Sequence, residues 1–300
     1  MEPCNHTKLM NYIIGMCKRH KDWISTLADL GYEPALIEQQ IRTSSDEVVK
    51  PDILATSNKL IHSLIFECKG GVTVDADQLR RYSTLTEDNV LRWTRPFTHQ
   101  NFHFDACLVD VEENHPVVAA IGNQFPIITF GTKTLFKTNH FKEKKLNEAF
   151  KVPINLDEKT PPLSYYPFCE DDENAYLSLF VLRGLVSMAV RNAKGGPSTS
   201  EENIITRDDL LKSIFNPVFD ALSKSHKDRL KEKIKEVVRW IMAKEGMKEA
   251  LGLIETQAGI KIGRPLEKFT KEAYKFIETV ETQRPLIEFM SNKDSGNPPS

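Results

Sequence analysis

Residues 51–82 read PDILATSNKLIHSLIFECKGGVTVDADQLRRY, and the fold of the first half of the chain is decided there. Residues 60–69 (LIHSLIFECK) are rich in Ile, Leu and Phe, hold no Pro or Gly, and lie between Ser57-Asn58 and Gly70-Gly71. This is a strand with turn signals at both ends. Residues 48–55 (VVKPDILA) form a second apolar run, joined to the first by Thr56-Ser57-Asn58-Lys59. A short polar connection between two strand-like runs predicts an antiparallel hairpin. Glu67 and Lys69, at i and i+2, then project to one side. Asp52 falls on the neighbouring strand, near the open end where Glu67 sits.

Two carboxylates and an ammonium converging on one patch suit phosphodiester chemistry. Asp and Glu oxygens are hard ligands for Mg²⁺ or Mn²⁺, and Mg²⁺ sites commonly combine one or two carboxylates with water and substrate phosphate. Such an ion lowers the pKa of a bound water and neutralises the scissile phosphate. Lys69 can orient the attacking water or stabilise developing negative charge. The backbone carbonyl of Cys68 is a further oxygen donor at the same place. After Gly70-Gly71, residues 74–88 (VDADQLRRYSTLTED) predict a helix capped by Asp75 or Asp77. Gln78 and Tyr82 are i and i+4 on one face of it. Gln can bond a lysine, a water or a nucleotide, and Tyr can pack under the site or stack on a base.

Asp52, Glu67-x-Lys69 and Gln78-x-x-x-Tyr82 together resemble the PD-(D/E)xK nuclease superfamily. The Gln-x-x-x-Tyr element is similar to the RecB-like and Mrr-like branches and to the nuclease domains of type I restriction subunits. The motifs occupy about thirty residues, within a domain of about half the chain. The resemblance implies that Asp52 and Glu67 bind a divalent metal, Mg²⁺ with Mn²⁺ as a substitute. It implies that Lys69 is catalytic and that Gln78 and Tyr82 assist the site or the nucleic acid. It also implies a restriction-endonuclease-like α/β fold, a three-layer mixed sheet. The expected activity is Mg²⁺-dependent hydrolysis of DNA in a restriction-like, antiviral defence or DNA-processing role. A catalytically silent DNA-binding or scaffolding subunit, and an RNA-directed nuclease, are the alternatives.

Each piece also has a plain structural reading. Asp52 can be a turn acid after Pro51, Glu67 and Lys69 a surface ion pair of little worth, and Gln78 and Tyr82 a helix face packed on the sheet. Many superfamily members carry a further acid on the first helix, where this chain has only Asp22 and Asp29. Glu38, in ALIEQQIRT, is an additional ligand candidate, beside its reading as a solvent-facing strand glutamate.

Composition agrees with two domains. Three hundred residues allow two separate cores. A formal net charge of −2 carries no global signature of nucleic-acid binding. Five scattered cysteines (Cys4, Cys17, Cys68, Cys107, Cys169) show no CxxC or Cys/His ligand spacing, which argues against zinc and a disulfide framework. His99, His103, His115 and His140 are too irregularly spaced for a metal site. The apolar runs are too short to span a membrane and no signal peptide is legible, so the expected location is a reducing cytoplasm with no membrane partner.

The expected order in residues 1–155 is α-β-β-β-α-β-α-β, here a nuclease domain. An amphipathic helix covers residues 7–31, and strands lie near 36–43, 48–55 and 60–69, followed by the Gln/Tyr helix. Then come a buried strand at 104–111 (FDACLVDV), a helix opening at His115-Pro116, a strand at 126–130 (PIITF) and a closing helix at 141–150. Residues 153–168, with Pro153, Pro161, Pro162 and Pro167, read as a linker. Residues 169–290 read as a mainly α-helical domain for target recognition, protein docking or homo-oligomer formation, with poor strand signals for a winged-helix wing. Residues 291–300 read as a disordered polar tail. Within 224–248 stand nine Lys/Arg against four Asp/Glu. Lys231, Lys235 and Arg239 there are candidate nucleic-acid contacts, beside the reading of a solvated, charge-alternating helix.

Overall fold

The computed structural model describes residues 3–71, 73, 75–94, 101–194 and 204–282. His99, residues 195–203 and the 291–300 tail lie outside the described residues. The chain forms two bodies. The first comprises Cys4–Cys169 with Pro217–Asp228, and the second Glu170–Asn216 with the residues from Arg229 onward.

In chain order the first body runs α1 (Asn5–Cys17), α2 (Thr26–Asp29), β1 (Tyr32–Ile37), β2 (Ile41–Arg42), β3 (Val48–Val49), β4 (Ile53–Ser57), β5 (His62–Lys69), α3 (Ala76–Ser83) and α4 (Glu87–Leu91). It continues with β6 (His103–Val111), α5 (His115–Ile121), β7 (Ile127–Phe130), β8 (Thr134–Thr138), α6 (Lys144–Ala149) and β9 (Ile154–Asn155). Seven strands form one mixed sheet in the order β1-β4-β5-β6-β7-β8-β9. The predicted hairpin is present: β4 and β5 pair antiparallel from Ile53↔Phe66 to Ser57↔His62. Strands β5, β6 and β7 are parallel neighbours, and β8 and β9 extend the edge antiparallel.

Helices cover the sheet on both faces. Leu79 and Tyr82 of α3, Val90 of α4 and Val118 of α5 share a buried cluster with Leu54, Ile65, Phe104, Leu108 and Ile127 of the strands. Helix α1 packs over β1, β5 and β6 on the other face, burying Leu9, Met10, Ile13 and Ile14 completely. At about 25 cal/mol per Å² of apolar surface, side chains of this size contribute roughly 1.5–3 kcal/mol each.

The strand expected near 36–43 is broken at Glu38 into the end of β1 and the two-residue β2, which lies in a separate sheet, and four further sequence expectations change. The helix expected over 7–31 stops at Cys17 and resumes only as α2. The intervening Trp23 folds back, its indole N–H donating to Tyr12 O at 3.0 Å, so its apolar ring is buried without a continuous helix. Gly31 still ends this segment with a left-handed φ of 84°. The 48–55 run is divided at Pro51, which has no N–H for a ladder: β3 pairs with β2 and β4 begins at Ile53. The proline-rich segment 153–168 is not a linker. It carries β9 and buries Tyr166 and Phe168, and Asn11 clamps it by donating to Tyr166 O at 2.6 Å and accepting from Tyr166 N at 2.9 Å.

The fourth change is in the second body. It contains α7 (Asn174–Lys194), β10 (Ile204–Thr206), α8 (Arg207–Ile214), the part of α9 (Lys224–Met242) from Arg229 on, α10 (Met247–Leu251), β11 (Leu253–Glu255), β12 (Gly259–Ile262) and α11 (Leu266–Thr282). Helices dominate, as expected, but the strands form an antiparallel sheet in the order β10-β12-β11. These strands have only three or four residues each, too few for a period-2 pattern to stand out. Helix α7 is buried at Leu177, Val181 and Gly184, and Leu210, Ile234, Val238, Phe269 and Ile277 add to the core of this body.

Candidate functional site

The site forms at the C-terminal end of β5. Glu67 and Lys69 project to the α3 side, as their i, i+2 spacing requires. Lys69 Nζ donates to Glu67 Oε1 at 2.8 Å and to Gln78 Oε1 at 2.9 Å. Gln78 Nε2 donates to Glu67 Oε1 at 2.9 Å, and the Tyr82 hydroxyl to Glu67 Oε2 at 2.5 Å. Asp75 places this helix by accepting from the backbone N–H groups of Asp77 and Gln78. The Lys69 and Glu67 side chains are 9% and 8% exposed, so they are not the surface pair of the plain reading. Breaking a buried pair strands a charge at a cost of about 3–5 kcal/mol.

Asp52 stands immediately before β4. Its N–H donates to Phe66 O at 3.1 Å, and its Oδ2 accepts from Cys68 N at 2.6 Å. Burial, together with the Glu67 charge, raises its pKa to about 7, against an opposing pull from His6. Burial also lifts Tyr82 well above the usual phenol range, reinforced by Glu67. Tyr82 is therefore a hydrogen-bond donor at neutral pH.

Glu38 is buried, not solvent-facing. It follows β1 with a left-handed φ of 55°, and its N–H donates to Asp52 O at 3.0 Å. Lys50 and His226 (3.5 Å) pair with its carboxylate. His6, which sequence reasoning missed, completes the group. Its Nε2 lies 3.7 Å from Asp52 Oδ1 and its Nδ1 3.4 Å from the Cys68 carbonyl oxygen. Burial presses the His6 pKa down, but the Asp52 and Glu38 charges more than offset this and leave it raised. The only sequence signal for His6 is indirect: a Cβ on Gly70 would meet His6 N at 2.4 Å. The glycine after Lys69 thus lets the first turn of α1 approach the end of β5.

The donor set fits a hard divalent cation. Ligand atoms of His6, Glu38 and Asp52 lie within 4.8 Å of one another, and the Cys68 carbonyl is beside them. The carboxylate and carbonyl oxygens suit Mg²⁺ or Mn²⁺, whereas the His6 imidazole is a donor more typical of softer first-row metals. The raised pKa of Asp52 reflects its burial first and then the neighbouring Glu67 and Glu38 charges, and a cation at its carboxylate would oppose both. Of the expected ligands, Asp52, Glu38 and the Cys68 carbonyl come together. Glu67 is near enough to raise Asp52, but both its oxygens are turned to Lys69, Gln78 and Tyr82.

The three basic residues named on α9 are each engaged. Lys231 pairs with Asp208 at 3.2 Å and Lys235 with Glu232 at 3.1 Å. Arg239 grips Glu255 with two bonds, at 2.8 and 3.1 Å. Of the other histidines, His103 pairs with Glu143 at 3.2 Å, and His115 contacts Asp110 and Thr129 at 3.2 and 2.9 Å. Among the described residues no helix is long and apolar enough to cross a membrane.

Comparison with known proteins gives a family without an assigned activity. The chain is 27% identical over 207 residues to the uncharacterised protein MJECL32 of Methanocaldococcus jannaschii, covering 62% of this chain and 46% of that relative. The chain thus spans about half the length of the curated relative it matches. No solved structure matches it. Residues 5–166 match the MJECL32 domain, a span that includes His6, Glu38, Asp52, Glu67, Lys69, Gln78 and Tyr82. The chain belongs to the MJECL32 domain family.

Proposed function

We propose that the first body is a divalent-metal-dependent nuclease of the PD-(D/E)xK type, with a restriction-endonuclease-like fold, that hydrolyses DNA in restriction-like defence or DNA processing. One observation carries the reading. Glu67, Lys69, Gln78 and Tyr82 form a single hydrogen-bonded set against Asp52, which is fixed on the Cys68 N–H. A strand-end ion pair has no need of three donors on one glutamate, nor of three further metal-capable groups beside it.

In this reading Asp52, Glu38, His6 and the Cys68 carbonyl would hold Mg²⁺ or Mn²⁺, with the Glu67 carboxylate close by. The ion supplies charge neutralisation at the scissile phosphate and a water of lowered pKa. Lys69, held by Gln78, directs its ammonium at the attacking water or at the charge growing on phosphate oxygens. Tyr82 and Gln78 restrain the Glu67 carboxylate, as outer hydrogen-bond partners do at metal centres. The second body serves recognition or docking. Its elements run α7-β10-α8-α9-α10-β11-β12-α11, and a small antiparallel sheet in the order β10-β12-β11 joined to helices supports this role.

The test is incubation of the purified chain with plasmid, single-stranded DNA and RNA, in Mg²⁺, Mn²⁺ or EDTA. Cleavage of DNA in either metal and none in EDTA is expected. No cleavage of any substrate would instead favour a silent nuclease-fold subunit, and cleavage of RNA alone an RNA-directed enzyme.

A further inference from the structure

A cleft of about 320 Å³ begins at Asn5, the residue before His6 on α1. Asn5, Lys8 and Tyr12 line one wall, and Val111, Glu113, Asn114, Phe130, Gly131 and Thr132 the other. The first three residues are i, i+3 and i+7 on α1 and form one stripe. The second wall is made where β6 and β7 end. Those strands run parallel to β5, with Lys69 opposite Asp110, so the cleft occupies the same sheet edge as Glu67 and Lys69. The carboxyl edge of parallel strands is a common place for ligands.

The stripe is anchored to the candidate centre. Asn5 and His6 are consecutive, and both meet the backbone at Gly70: a Cβ there would lie 3.0 Å from Asn5 C and 2.4 Å from His6 N. Moving away from the centre along α1, the cleft presents an amide, then an ammonium, then a half-buried aromatic ring. The Tyr12 ring is braced by Phe130 and Trp23, with centroids at 5.0 and 5.2 Å. Asn114 and Thr132 add polar groups opposite.

We propose that this cleft is a nucleotide subsite for one unstacked residue of a single strand, next to the scissile phosphate; the proposal rests on the nuclease reading above. The order of groups fits that ligand. Lys8 meets a backbone phosphate, and the flat face of Tyr12 receives the base. Glu113 excludes a second phosphate and accepts from sugar hydroxyls or base amino groups. A duplex has no base available to enter such a cleft, because its bases are paired and stacked. The substrate preferred at this site is therefore a single-stranded segment or a frayed end.

The test measures binding and cleavage together. Affinity for a short single-stranded DNA, and for the same sequence as RNA, is read by fluorescence anisotropy with the full chain in Ca²⁺, and cleavage of both in Mn²⁺. Variants are Lys8→Ala, Tyr12→Leu, the control Tyr12→Phe, which keeps the ring, and Thr132→Trp, which fills the cleft from the opposite wall without touching α1. Lys8→Ala and Thr132→Trp are expected to weaken single-strand binding about 5- to 20-fold. Lys8→Ala also lowers the salt dependence by about one counterion. Tyr12→Leu behaves likewise, Tyr12→Phe resembles the parent, and all four bind Mn²⁺ as the parent does. If the parent cleaves DNA but Lys8→Ala and Thr132→Trp bind and cleave unchanged, the subsite is wrong and the nuclease reading stands. If the parent cleaves nothing yet binds single strands through Lys8 and Tyr12, the subsite stands and the nuclease reading falls. A parent that binds neither DNA nor RNA overturns the subsite.

Discussion

The Tyr82 hydroxyl reaches from α3 to Glu67 Oε2 on β5 and closes a 2.5 Å hydrogen bond. That contact joins the helix to the strand at the proposed site. Tyr82→Phe keeps the ring in its buried cluster but strips Glu67 of one donor. The expected loss is about 10- to 100-fold in cleavage rate and roughly 1–3 kcal/mol of stability from an undersatisfied buried carboxylate. Single-turnover kinetics and urea denaturation of the variant check both.

Lys69→Ala separates chemistry from binding. The ammonium bonds Glu67 and Gln78 and is not among the metal-capable groups. Turnover should fall about 10²- to 10³-fold, with Mn²⁺ and DNA affinity retained. Stability should also fall, because Glu67 loses its buried counter-charge. A variant that keeps its turnover and loses DNA affinity would reassign Lys69 to a phosphate contact.

His6→Ala tests the ligand that the sequence did not announce. Its imidazole approaches Asp52 and the Cys68 carbonyl, so its removal should weaken Mn²⁺ binding about tenfold or more, measured by calorimetry. It should change the thermal midpoint of the metal-free chain little. Equal Mn²⁺ affinity in parent and variant would confine His6 to a structural contact with Asp52.

What was legible in the sequence was what local rules control. Strand alternation put Glu67 with Lys69, the polar turn brought Asp52 opposite, and helical spacing put Gln78 with Tyr82. What was not legible depends on tertiary packing. His6 joins the group through Gly70, which a motif search reads only as a turn. Glu38 is drawn inside by Lys50 and His226, the latter far along the chain. The prolines of 153–168 suggested a linker, yet Asn11 fastens that stretch onto α1. On α9 the count of Lys and Arg shows a positive run, but not that Lys231, Lys235 and Arg239 pair with Asp208, Glu232 and Glu255.

A buried network near the start of β5 predicts an acid limb in stability. His62 is fully buried, with Tyr32 Oη 2.6 Å from its Nδ1, Asp105 Oδ2 3.2 Å from its Nε2 and the His103 ring at 4.6 Å. Burial lowers its pKa below 6.5 in spite of Asp105. The unfolded chain therefore takes up a proton near pH 6.5 that the folded chain refuses. Stability is full above that pH and is lost as pH falls through it. Asp105 adds to the loss at lower pH: burial pushes its pKa up, but His62 and the Lys142 and Glu143 N–H groups outweigh burial and leave it lowered. Asp52 acts in the opposite sense, since its raised pKa makes folding less favourable as pH climbs toward about 7. The informative quantity is the difference between parent and His62→Gln. Between pH 7.5 and 5.5 the parent should lose more stability in urea titrations than the variant, and equal slopes would mean that folding leaves the His62 pKa unshifted.

The most direct measurement is single-turnover cleavage of DNA in Mn²⁺ by the parent chain, Asp52→Ala and Glu67→Ala, with folding followed by circular dichroism. The account predicts cleavage by the parent and its loss in both variants while their folded spectra are kept. Parent-level cleavage by both folded variants would contradict it, because the activity would then arise elsewhere than at the end of β5.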